Sequence, residues 1–599
     1  MRTRRRDPVG PGHRTSFGRG RRSGRGALAL LFTLVVVLAG CTNTPPPPVV
    51  SSPIAQTSTP PANTPSQITV SLDDIAGGYN PHHNADLSTV TSALSAMLLP
   101  SVFRPDEEGE PTLDKNLMTS AEVISEDPFT VRYEIRPDAS WSDGAPIAVE
   151  DFAYLADAMK NQPGVVDKAG YRLISAIQPG EGGKRVEVTF SERYPGWKSL
   201  FDNLLPSHLL KDAPGGWQGA LADSFPAYGG PFAVKTLDKE RGEIVLERNE
   251  RYWEKPAAVD RVVLRSSDQS GMVNALRTGN DQFALGNFDG TGLDLLAGLG
   301  KEVETHTVAR PYFAETLLRP VGTLADDQVR AGVAALIDRD KLIAEGTKGS
   351  PMRELRAGAH VMPPSDSGYE PTLPPSGSPR DVTPKRAQQL LTAAGYEKEA
   401  GTWAREGKTL SVVVASPGQQ EPYASIATEL SRQLTSAGIE VTTVNPPSRE
   451  LFSSLLASPV STDPEDQSTT QSGTVVVDIA VVPQPISADP ASTLASAFGC
   501  GPGWDSEEDA SDTTVTPANP AAFCDEVLQP TIESALTGDE PLDETLSTVE
   551  PALWQANIAI PLFQLADTLA IGSSVAGVSS GPPMTGPFSS AVNWTRAQR

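Results

Sequence analysis

The sequence is poor in the residues that most often bind metals. It has three cysteines and six histidines among 599 residues, and only His82 and His83 are adjacent. Neighbouring side chains on an extended strand point to opposite faces, so this pair by itself does not indicate a metal site. The sequence also lacks a glycine-rich loop followed by lysine that could cradle a phosphate group. It therefore predicts neither a metal nor another cofactor.

Basic residues are scarce as well. Lysine and arginine together number 49 against 74 aspartates and glutamates, which gives a net charge of −25. Residues 1–40 hold nine of the basic residues and one acid, so the rest of the chain carries 40 basic and 73 acidic residues and a net charge of −33. Such a chain is not suited to binding nucleic acid or to electrostatic adhesion to anionic lipid headgroups.

Long apolar runs are absent, with one exception near the N-terminus. The run Ala27–Gly40 follows an arginine-rich start and is too short to span a bilayer permanently. It leads into Leu-Ala-Gly-Cys, a pattern typical of a bacterial lipobox, in which the thiol of Cys41 receives diacylglycerol before cleavage. We therefore expect residues 1–40 to be a lipoprotein signal peptide. The alternative is an uncleaved anchor followed by a chance cysteine.

The segment that follows the lipobox is rich in proline. Residues 41–66 contain eight prolines and few apolar side chains to bury. This composition favours extended polyproline II structure. We expect a disordered tether that holds a globular body at the extracytoplasmic face of the cell membrane, with the lipid as the anchor.

The two remaining cysteines are Cys500 and Cys524. An exported protein reaches a compartment that permits disulfide formation, so we expect them to form a disulfide, and two free thiols are the alternative. The bond would close the acidic loop between them and contribute roughly 3 to 4 kcal/mol in the simplest chain-entropy model.

The globular body is long enough for two to four domains and combines strands with helices. Ile68–Leu72 alternates in the manner of an edge strand, and the Gly/Asn-Pro stretch at 77–84 predicts a turn. A helix is expected from about Leu87 to Leu99.

The stretch 131–152 contains several acids that could be mistaken for catalytic carboxylates. Its alternation from Val131 to Ile135 predicts a half-buried strand, and the Asp-Gly pair at 143–144 predicts a turn. Glu150 and Asp151 then fall in the first turn of a helix, where negative charge complements free backbone N–H groups. These acids are therefore explained as scaffold.

The second half of the chain predicts an α/β lobe. Residues 326–343 place their apolar side chains on one helical face, and Thr383 with Pro384 predicts the cap and first residue of another helix. A strand, a helix and a second strand follow between Leu410 and Val444. Residues Val475–Val482, which are apolar except for Asp478, predict a strand buried on both faces.

Catalytic patterns give no usable candidate. Gly577-Val-Ser579-Ser-Gly581 matches a nucleophile elbow, but the rest of the chain after it contains neither Asp nor His, which such hydrolases place after the serine. Carboxylates that could form a glycosidase pair are plentiful, and nothing singles one pair out. We expect no catalytic residue, with a secreted hydrolase as the remaining enzymatic alternative.

Several motifs occur in a characteristic order along the chain. They are a lipobox, YNPH, SVFRPDEEGEPTLDKNLMTSAEVISEDPFTVRYEIRPDASWSDGAPIAVEDF, YGGPFAV, LERNERYW, DQVRAGVAALIDRDKLI, AQQLLTAAGY and SADPASTLASAF. In this order they resemble the family 5 extracellular solute-binding proteins, which are the oligopeptide and dipeptide receptors of ABC importers. The resemblance covers roughly residues 67–570.

The resemblance implies an α/β, two-lobed periplasmic-binding-protein-like fold of type II, cluster C, with an extra small domain. The implied divisions are 1–40 as signal peptide, 41–66 as tether, 67–320 as lobe I with a small domain at about 100–215, 321–545 as lobe II with disordered insertions near 458–473 and 503–520, and 546–599 as the return to lobe I and tail.

The resemblance also implies ligand-binding positions in the cleft between the lobes. They are Tyr79, Asn80 and His82 in the entering turn, Gly229 and Phe232 in the returning segment, and Pro483, Gln484 and Asp489 at the cleft edge. Peptide receptors of this family carry an aromatic residue and an aspartate shortly before the Asp-Pro pair, and residues 481–487 here contain neither. Because a buried peptide ammonium needs a carboxylate partner, the departure favours a ligand without a buried cation.

The implied function is binding without chemistry by a monomer whose ligand is a small molecule, a peptide or a glycolipid. An ABC permease is the implied partner. One branch of the family is linked to lipomannan and lipoarabinomannan assembly, which implies the alternative of a glycolipid-binding or regulatory protein that works with envelope-biosynthesis enzymes.

Overall fold

The computed structural model describes residues 66–597, apart from residue 462, residues 464–469, residue 472 and residues 502–513. The predicted signal peptide, Cys41 and nearly all of the predicted tether lie outside the described residues, as do parts of the predicted insertions at 458–473 and 503–520. Among the helices that are described, none combines the length and the apolarity needed to cross a bilayer.

A mixed sheet of ten strands runs through the body. In spatial order its strands are Glu440–Val444, Ser411–Ala415, Ile479–Pro485, Val303–Leu318, Ala559–Gly572, Phe283–Gly286, Gln67–Leu72, Arg261–Ser266, Glu243–Arg248 and Phe232–Asp238. We call Val303–Leu318 and Ala559–Gly572 the crossing strands. The three strands before them form the second half of the sheet, and the five strands after them form its first half.

The crossing strands belong to both halves. Their pairing with each other is interrupted between Ala309 and Phe313 and shifts again next to Ala314. Irregularities of this kind bend strands and weaken the local ladder. The ladder between the two crossing strands is therefore less continuous from Ala309 to Ala314 than on either side of this segment.

The first strand of the described body corrects one expectation. Gln67–Leu72 is not at an edge, because it pairs in parallel with both Arg261–Ser266 and Phe283–Gly286. In the sequence its polar residues look like the solvent-facing positions of an edge strand. In the structure they are buried and hydrogen-bonded. Ser71 donates to the carboxylate of Asp281, and the Thr69 N–H donates to Gln282. Partners that are distant in the sequence thus make a central strand of an edge-like pattern.

A four-stranded antiparallel sheet lies within the predicted small domain, and we call it the four-stranded unit. Its strands, in spatial order, are Met118–Glu126, Phe129–Ile135, Arg185–Phe190 and Ile174–Pro179. The helix Val149–Asn161 packs beside it. Asp151 in the first turn accepts from the Trp141 indole, the Ala148 N–H, and the N–H and hydroxyl of Ser207. These bonds confirm the scaffold interpretation of Asp151.

The cap of that helix offers a stabilising substitution. Ala148 occupies the capping position without a side-chain acceptor, and Asp143 instead accepts from Ala145 and pairs with His208. We expect Ala148→Thr to supply the missing acceptor and raise the unfolding free energy by about 1 kcal/mol, measured as a higher melting temperature. Ala153→Thr, on the exposed helix surface, is the matched control and should lower it slightly because threonine is a weaker helix former. An unchanged or lower melting temperature for Ala148→Thr would contradict the cap argument.

The longer helices cover the sheet and the four-stranded unit. Those of eight or more residues among the described residues are Thr89–Leu98, Val149–Asn161, Gln269–Thr278, Gly290–Ala297, Asp327–Ala334, Arg339–Thr347, Pro384–Ala393, Tyr423–Ala437, Pro490–Phe498, Gln529–Thr537 and Leu542–Ala556. The predicted strand–helix–strand unit is confirmed, because Ser411–Ala415 and Glu440–Val444 pair in parallel around Tyr423–Ala437.

Two helix predictions in this half are corrected. Residues 326–343 form two helices rather than one, because Asp338 accepts from the Lys341 N–H and caps a new start. Thr383 precedes its helix as predicted but makes no capping bond, and its hydroxyl is buried without a partner among the described residues. Its ψ of 71° lies outside the extended region in which a cap hydroxyl reaches the first turn.

Candidate ligand-binding cleft

A cavity of about 240 Å³ lies where the four-stranded unit meets the second half of the sheet. Residues 160–166 and Lys168 form one wall, and Phe452, Leu456 and Ala457 form another. Gln484 and Pro485 at the end of a sheet strand, together with residues 516–520, complete the lining. Among its described lining residues none is Asp or Glu, and five are Asn or Gln.

Gln484 reaches this cavity because of its strand register. It lies opposite Phe313 on the crossing strand, while Val482 lies opposite Glu315. Alternate residues of a strand share a face, so Gln484 and Val482 project to the side on which the four-stranded unit packs. Gln484 is 7% exposed, and its amide nitrogen donates to the Pro485 carbonyl at 3.4 Å.

The other predicted cleft residues take structural roles. Tyr79 is fully buried and donates to the Ile75 carbonyl, and His82 hydrogen-bonds the Asn203 carbonyl. Phe232 belongs to the core. A side chain at Gly229 would approach Pro100 to 2.9 Å, so this glycine permits close packing of the chain. None of these four lines the cavity.

Asn80, Pro483 and Asp489 also lie off the cavity wall. Asn80 accepts from the His82 N–H, and Pro483 is buried in the sheet opposite Ala314. Asp489 caps the helix Pro490–Phe498 and accepts from the Tyr194 hydroxyl at 2.9 Å. Burial raises the pKa of Asp489. Its contact with Tyr194 joins the second half to the four-stranded unit.

Most of the residues that line the cavity were not predicted from the sequence. Asn84 and Lys168 on one side, and Phe452, Ser496 and Asn519 on the other, were not candidates. Asn84 is the last residue of the predicted turn at 77–84, which was a usable signal. Lys168 and Asn519 carry no local signal, because their proximity depends on contacts between distant parts of the chain.

The disulfide holds one wall of the cavity. Cys500 and Cys524 are bonded, with their Cα atoms 4.7 Å apart. Between them, Asn519 donates to the carbonyls of Gly499 and Phe523, and the Cys500 carbonyl accepts from Arg172. The segment 516–520 is thereby fixed against both the second half and the four-stranded unit.

Arg449 connects two parts of the protein, one built on each half of the sheet. We call these parts the halves of the protein. Its guanidinium pairs with Asp86 and donates to the carbonyls of Gln218 and Ala220. Asp86 lies just before the first helix and is 4% exposed. Burial raises the pKa of Asp86, whereas the neighbouring Arg449 works to lower it. The pair is thus a buried ionic contact that exists only while the halves touch.

His83 lies beside this contact as a neutral imidazole. Its Nδ1 accepts from the Ala85 N–H, and its Nε2 donates to Ser453, which in turn donates to Gln218. Burial and then the charge of Arg449 lower the pKa of His83 to about 4. The turn that was predicted to contact ligand therefore contacts the opposite half of the protein.

A charged cluster lies at the border between the halves. Arg310 on one crossing strand forms a two-point ion pair with Asp567 on the other, and Thr89 of the first helix donates to the same carboxylate. Burial by itself lowers the pKa of Arg310, but the charges of Asp567, Tyr312 and Asp73 and the hydrogen bond to Asp567 together raise that pKa above its usual value. The cluster ties the first helix to both crossing strands where their pairing is interrupted.

Comparison with known protein families places most of the body in one family. The family model described as bacterial extracellular solute-binding proteins, family 5 Middle, matches residues 112–501. The sequence is 33% identical to a Mycobacterium tuberculosis H37Rv protein named probable monoacyl phosphatidylinositol tetramannoside-binding protein LpqW. The alignment covers 95% of this chain and 97% of that protein. It is also 27% identical, over 57% of the chain and 58% of the relative, to the oligopeptide-binding protein OppA of the same organism.

Solved structures share the fold. The periplasmic EDTA-binding protein EppA superposes with a TM-score of 0.68 at 21% identity and covers 92% of this chain and all of its own. The oligopeptide-binding protein AppA from Bacillus subtilis, solved with a nonapeptide, superposes with a TM-score of 0.66 at 17% identity and covers 89% of this chain and all of its own. The predicted periplasmic-binding-protein-like α/β fold is confirmed.

Proposed function

Because the chain belongs to the family 5 bacterial extracellular solute-binding proteins, we propose that it binds one ligand in the cavity beside Gln484 and catalyses no reaction. The described lining of that cavity, which offers carboxamides and no carboxylate, is the observation that carries the proposal. A ligand with hydroxyl groups finds donors and acceptors there. A ligand with a buried ammonium finds no counter-ion among the described lining residues.

The nature of the lining favours a glycolipid over a free peptide. Burying a peptide ammonium without a carboxylate costs several kcal/mol in typical proteins, which is about the whole binding energy of a weak ligand. Sugar hydroxyls pair well with carboxamides. The name of the relative LpqW, which refers to a mannosylated phosphatidylinositol, agrees with this ligand class.

The contacts of Arg449 and His83 between the halves supply a mechanism for retaining the ligand. The cavity is smaller than the volume of roughly 300 Å³ at which typical ligand pockets begin, so a large ligand needs the halves to separate. A ligand that touches both halves binds the closed state better and shifts the population towards it. We place the pivot at the interrupted pairing near Ala309.

We further propose that the protein is attached to the extracytoplasmic face of the cell membrane through diacylglycerol on Cys41. Its partner is an ABC permease, or enzymes of envelope biosynthesis if the glycolipid is a signal rather than cargo. The lipobox sequence supports the anchor, and the kinship with LpqW and OppA supports the two kinds of partner.

A second candidate function is peptide import. It is favoured by the similarity to OppA and by the shared fold of AppA, which was solved with a nonapeptide. Native mass spectrometry of the protein purified from its own membrane separates the two candidates. We expect a mannolipid to co-purify. A ladder of peptides would overturn the glycolipid proposal. Conversion of the bound molecule into a cleaved product by the purified protein would overturn the proposal that it catalyses no reaction.

If the ligand binds in this cavity, two matched variants should differ in their affinity for it. We expect Gln484→Ala to weaken binding of the re-added co-purified molecule about tenfold, the effect of losing one or two hydrogen bonds in a dry site. Gln555→Ala, on an exposed helix surface, should leave the affinity unchanged. Intrinsic fluorescence of the eight tryptophans measures both. Equal affinities in the two variants would place the ligand elsewhere.

A further inference from the structure

Lys168 lies in the wall of the cavity at the start of the short helix Ala169–Arg172. Its ammonium donates to the carbonyl oxygen of Ala518 on the opposite wall. An ammonium carries three donors, and this carbonyl is the single acceptor that the described residues give it. The side chain therefore retains unused donor capacity next to the cavity.

No carboxylate neutralises Lys168 among the residues that the structure describes. The adjacent Asp167 directs its carboxylate to the hydroxyls of Ser492 at 2.6 Å and Ser496 at 2.7 Å. Burial and then the like charge of Arg172 lower the pKa of Lys168 to about 8. Both effects disfavour a charged ammonium, so an anion at this place would relieve an unfavourable arrangement.

Three buried arginines differ from Lys168 in this respect. Arg449 has Asp86, and Arg310 has Asp567. Arg172, whose charge acts on Lys168, has the carboxylates of Asp167 and Glu533 in its surroundings. The missing counter-ion thus distinguishes Lys168 from these three arginines.

The same cavity offers a second unmatched polar group. Asn84 lines it and is 5% exposed. The amide nitrogen of Asn84 donates to the Val165 carbonyl at 3.0 Å, which identifies the remaining atom as the oxygen Oδ1. That oxygen has no donor among the described residues. Buried polar groups are normally satisfied, so an unmatched acceptor in the wall also points to a ligand.

Resting on the proposed function, we propose that Lys168 binds an anionic oxygen group of the ligand, either a phosphate or a carboxylate. Charge-assisted hydrogen bonds to such groups are among the strongest in proteins. The proposal deepens the assignment of the cavity, because it requires one ligand end to be negatively charged. The carboxamides around it then contact uncharged polar groups of the same ligand.

Two pairs of soluble probes distinguish the sources of the anion. myo-Inositol 1-phosphate and myo-inositol represent a phosphorylated headgroup with and without its charge, and trialanine and trialanine amide do the same for a carboxylate. We expect the wild-type full chain to bind the charged member of one pair at least tenfold more tightly. In Lys168→Met this preference should disappear, and in Lys168→Arg it should persist in part.

Lys198→Met is the matched control, because Lys198 is exposed beside the four-stranded unit and does not line the cavity. It should keep the full preference. An equal affinity for charged and uncharged members in the wild-type protein, or an undiminished preference in Lys168→Met, would overturn the proposal.

A measurement without any organic ligand separates this proposal from the proposed function. In a protein with ¹³Cε-labelled lysines, the resonance missing from Lys168→Met identifies Lys168, and inorganic phosphate should shift that resonance and not that of Lys198. If phosphate leaves it unchanged, the anion site is refuted even if a neutral ligand binds. If phosphate shifts it but no organic probe or co-purifying molecule binds, the anion site stands and the proposed binding function fails.

Discussion

Replacing Arg449 with alanine is expected to open the protein. The change leaves the carboxylate of Asp86 buried, with one remaining bond from the Asn80 N–H, for as long as the halves touch. Removing one partner of a buried ion pair typically costs about 3 to 5 kcal/mol. Separation of the halves returns Asp86 to water and avoids that cost. A penalty of this size, confined to the closed state, is enough to turn a mostly closed population into a mostly open one.

Small-angle scattering of the unliganded protein measures this result as a larger radius of gyration. Arg353→Ala is the matched control, since Arg353 forms an exposed pair with the adjacent Glu354 and exposed pairs contribute at most about 1 kcal/mol. The double variant Arg449→Ala with Asp86→Asn removes the unpaired charge and should recover part of the closed population. Identical radii for all four proteins would show that the Arg449 contact does not hold the halves together.

A second large effect is expected at Glu315, which lies on a crossing strand opposite Val482. Its side chain is fully buried, and neither carboxyl oxygen has a hydrogen-bond partner among the described residues. Burial, and to a smaller degree the charge of Glu550, raises the pKa of Glu315 to about 8 from 4.5. The carboxyl group is therefore neutral in the folded protein at pH 7.

The sign of the pH dependence follows from this shift. Between pH 4.5 and 8 the folded protein keeps a proton that the unfolded chain has released, so stability falls as pH rises through this window. The loss at pH 7 amounts to about 3 kcal/mol relative to pH 4. Glutamine has the same shape and no proton to lose. Glu315→Gln is therefore expected to be more stable than wild type by about that amount at pH 7, and by little at pH 4.

Urea unfolding at pH 4, 7 and 9 tests this expectation. The difference between Glu315→Gln and wild type should grow from pH 4 to pH 8 and then level off, because above pH 8 both the folded and the unfolded wild type are ionised. Glu544→Gln, at an exposed position on the helix Leu542–Ala556, should show no such growth. A difference that does not change with pH would mean that Glu315 is ionised in the folded state.

Local signals in the sequence predicted much of the fold. The strand predicted from the alternation at Val131–Ile135 and the strand–helix–strand unit between Leu410 and Val444 were both confirmed. Both predictions depend only on residues that are close together in the sequence. Predictions failed where a distant contact or a local cap overrode the periodic pattern. Gln67–Leu72 became central because Asp281 and Gln282 satisfy its polar residues, and residues 326–343 divided where Asp338 caps a second helix.

The candidate site was less predictable than the fold. Of the eight cleft positions implied by the resemblance, the structure brings Gln484 to the cavity wall. The rest support the chain around it, because a family motif records which residues shape a cleft as well as which residues face it. Asp489 shows the difference, since the resemblance implies that it lies at the cleft edge, whereas in the structure it caps a helix and accepts from the Tyr194 hydroxyl.

The sequence by itself determined the family, the α/β character, the positions of most helices and strands, and the acidic charge that argues against nucleic acid. These properties follow from composition, periodicity and motif order, which are local along the chain. Only the tertiary structure decided that Lys168 meets Ala518 without a carboxylate and that Arg449 pairs with Asp86, contacts that span 350 and 363 residues. Burial and pairing across such separations depend on how the halves pack, and no spacing in the sequence records it.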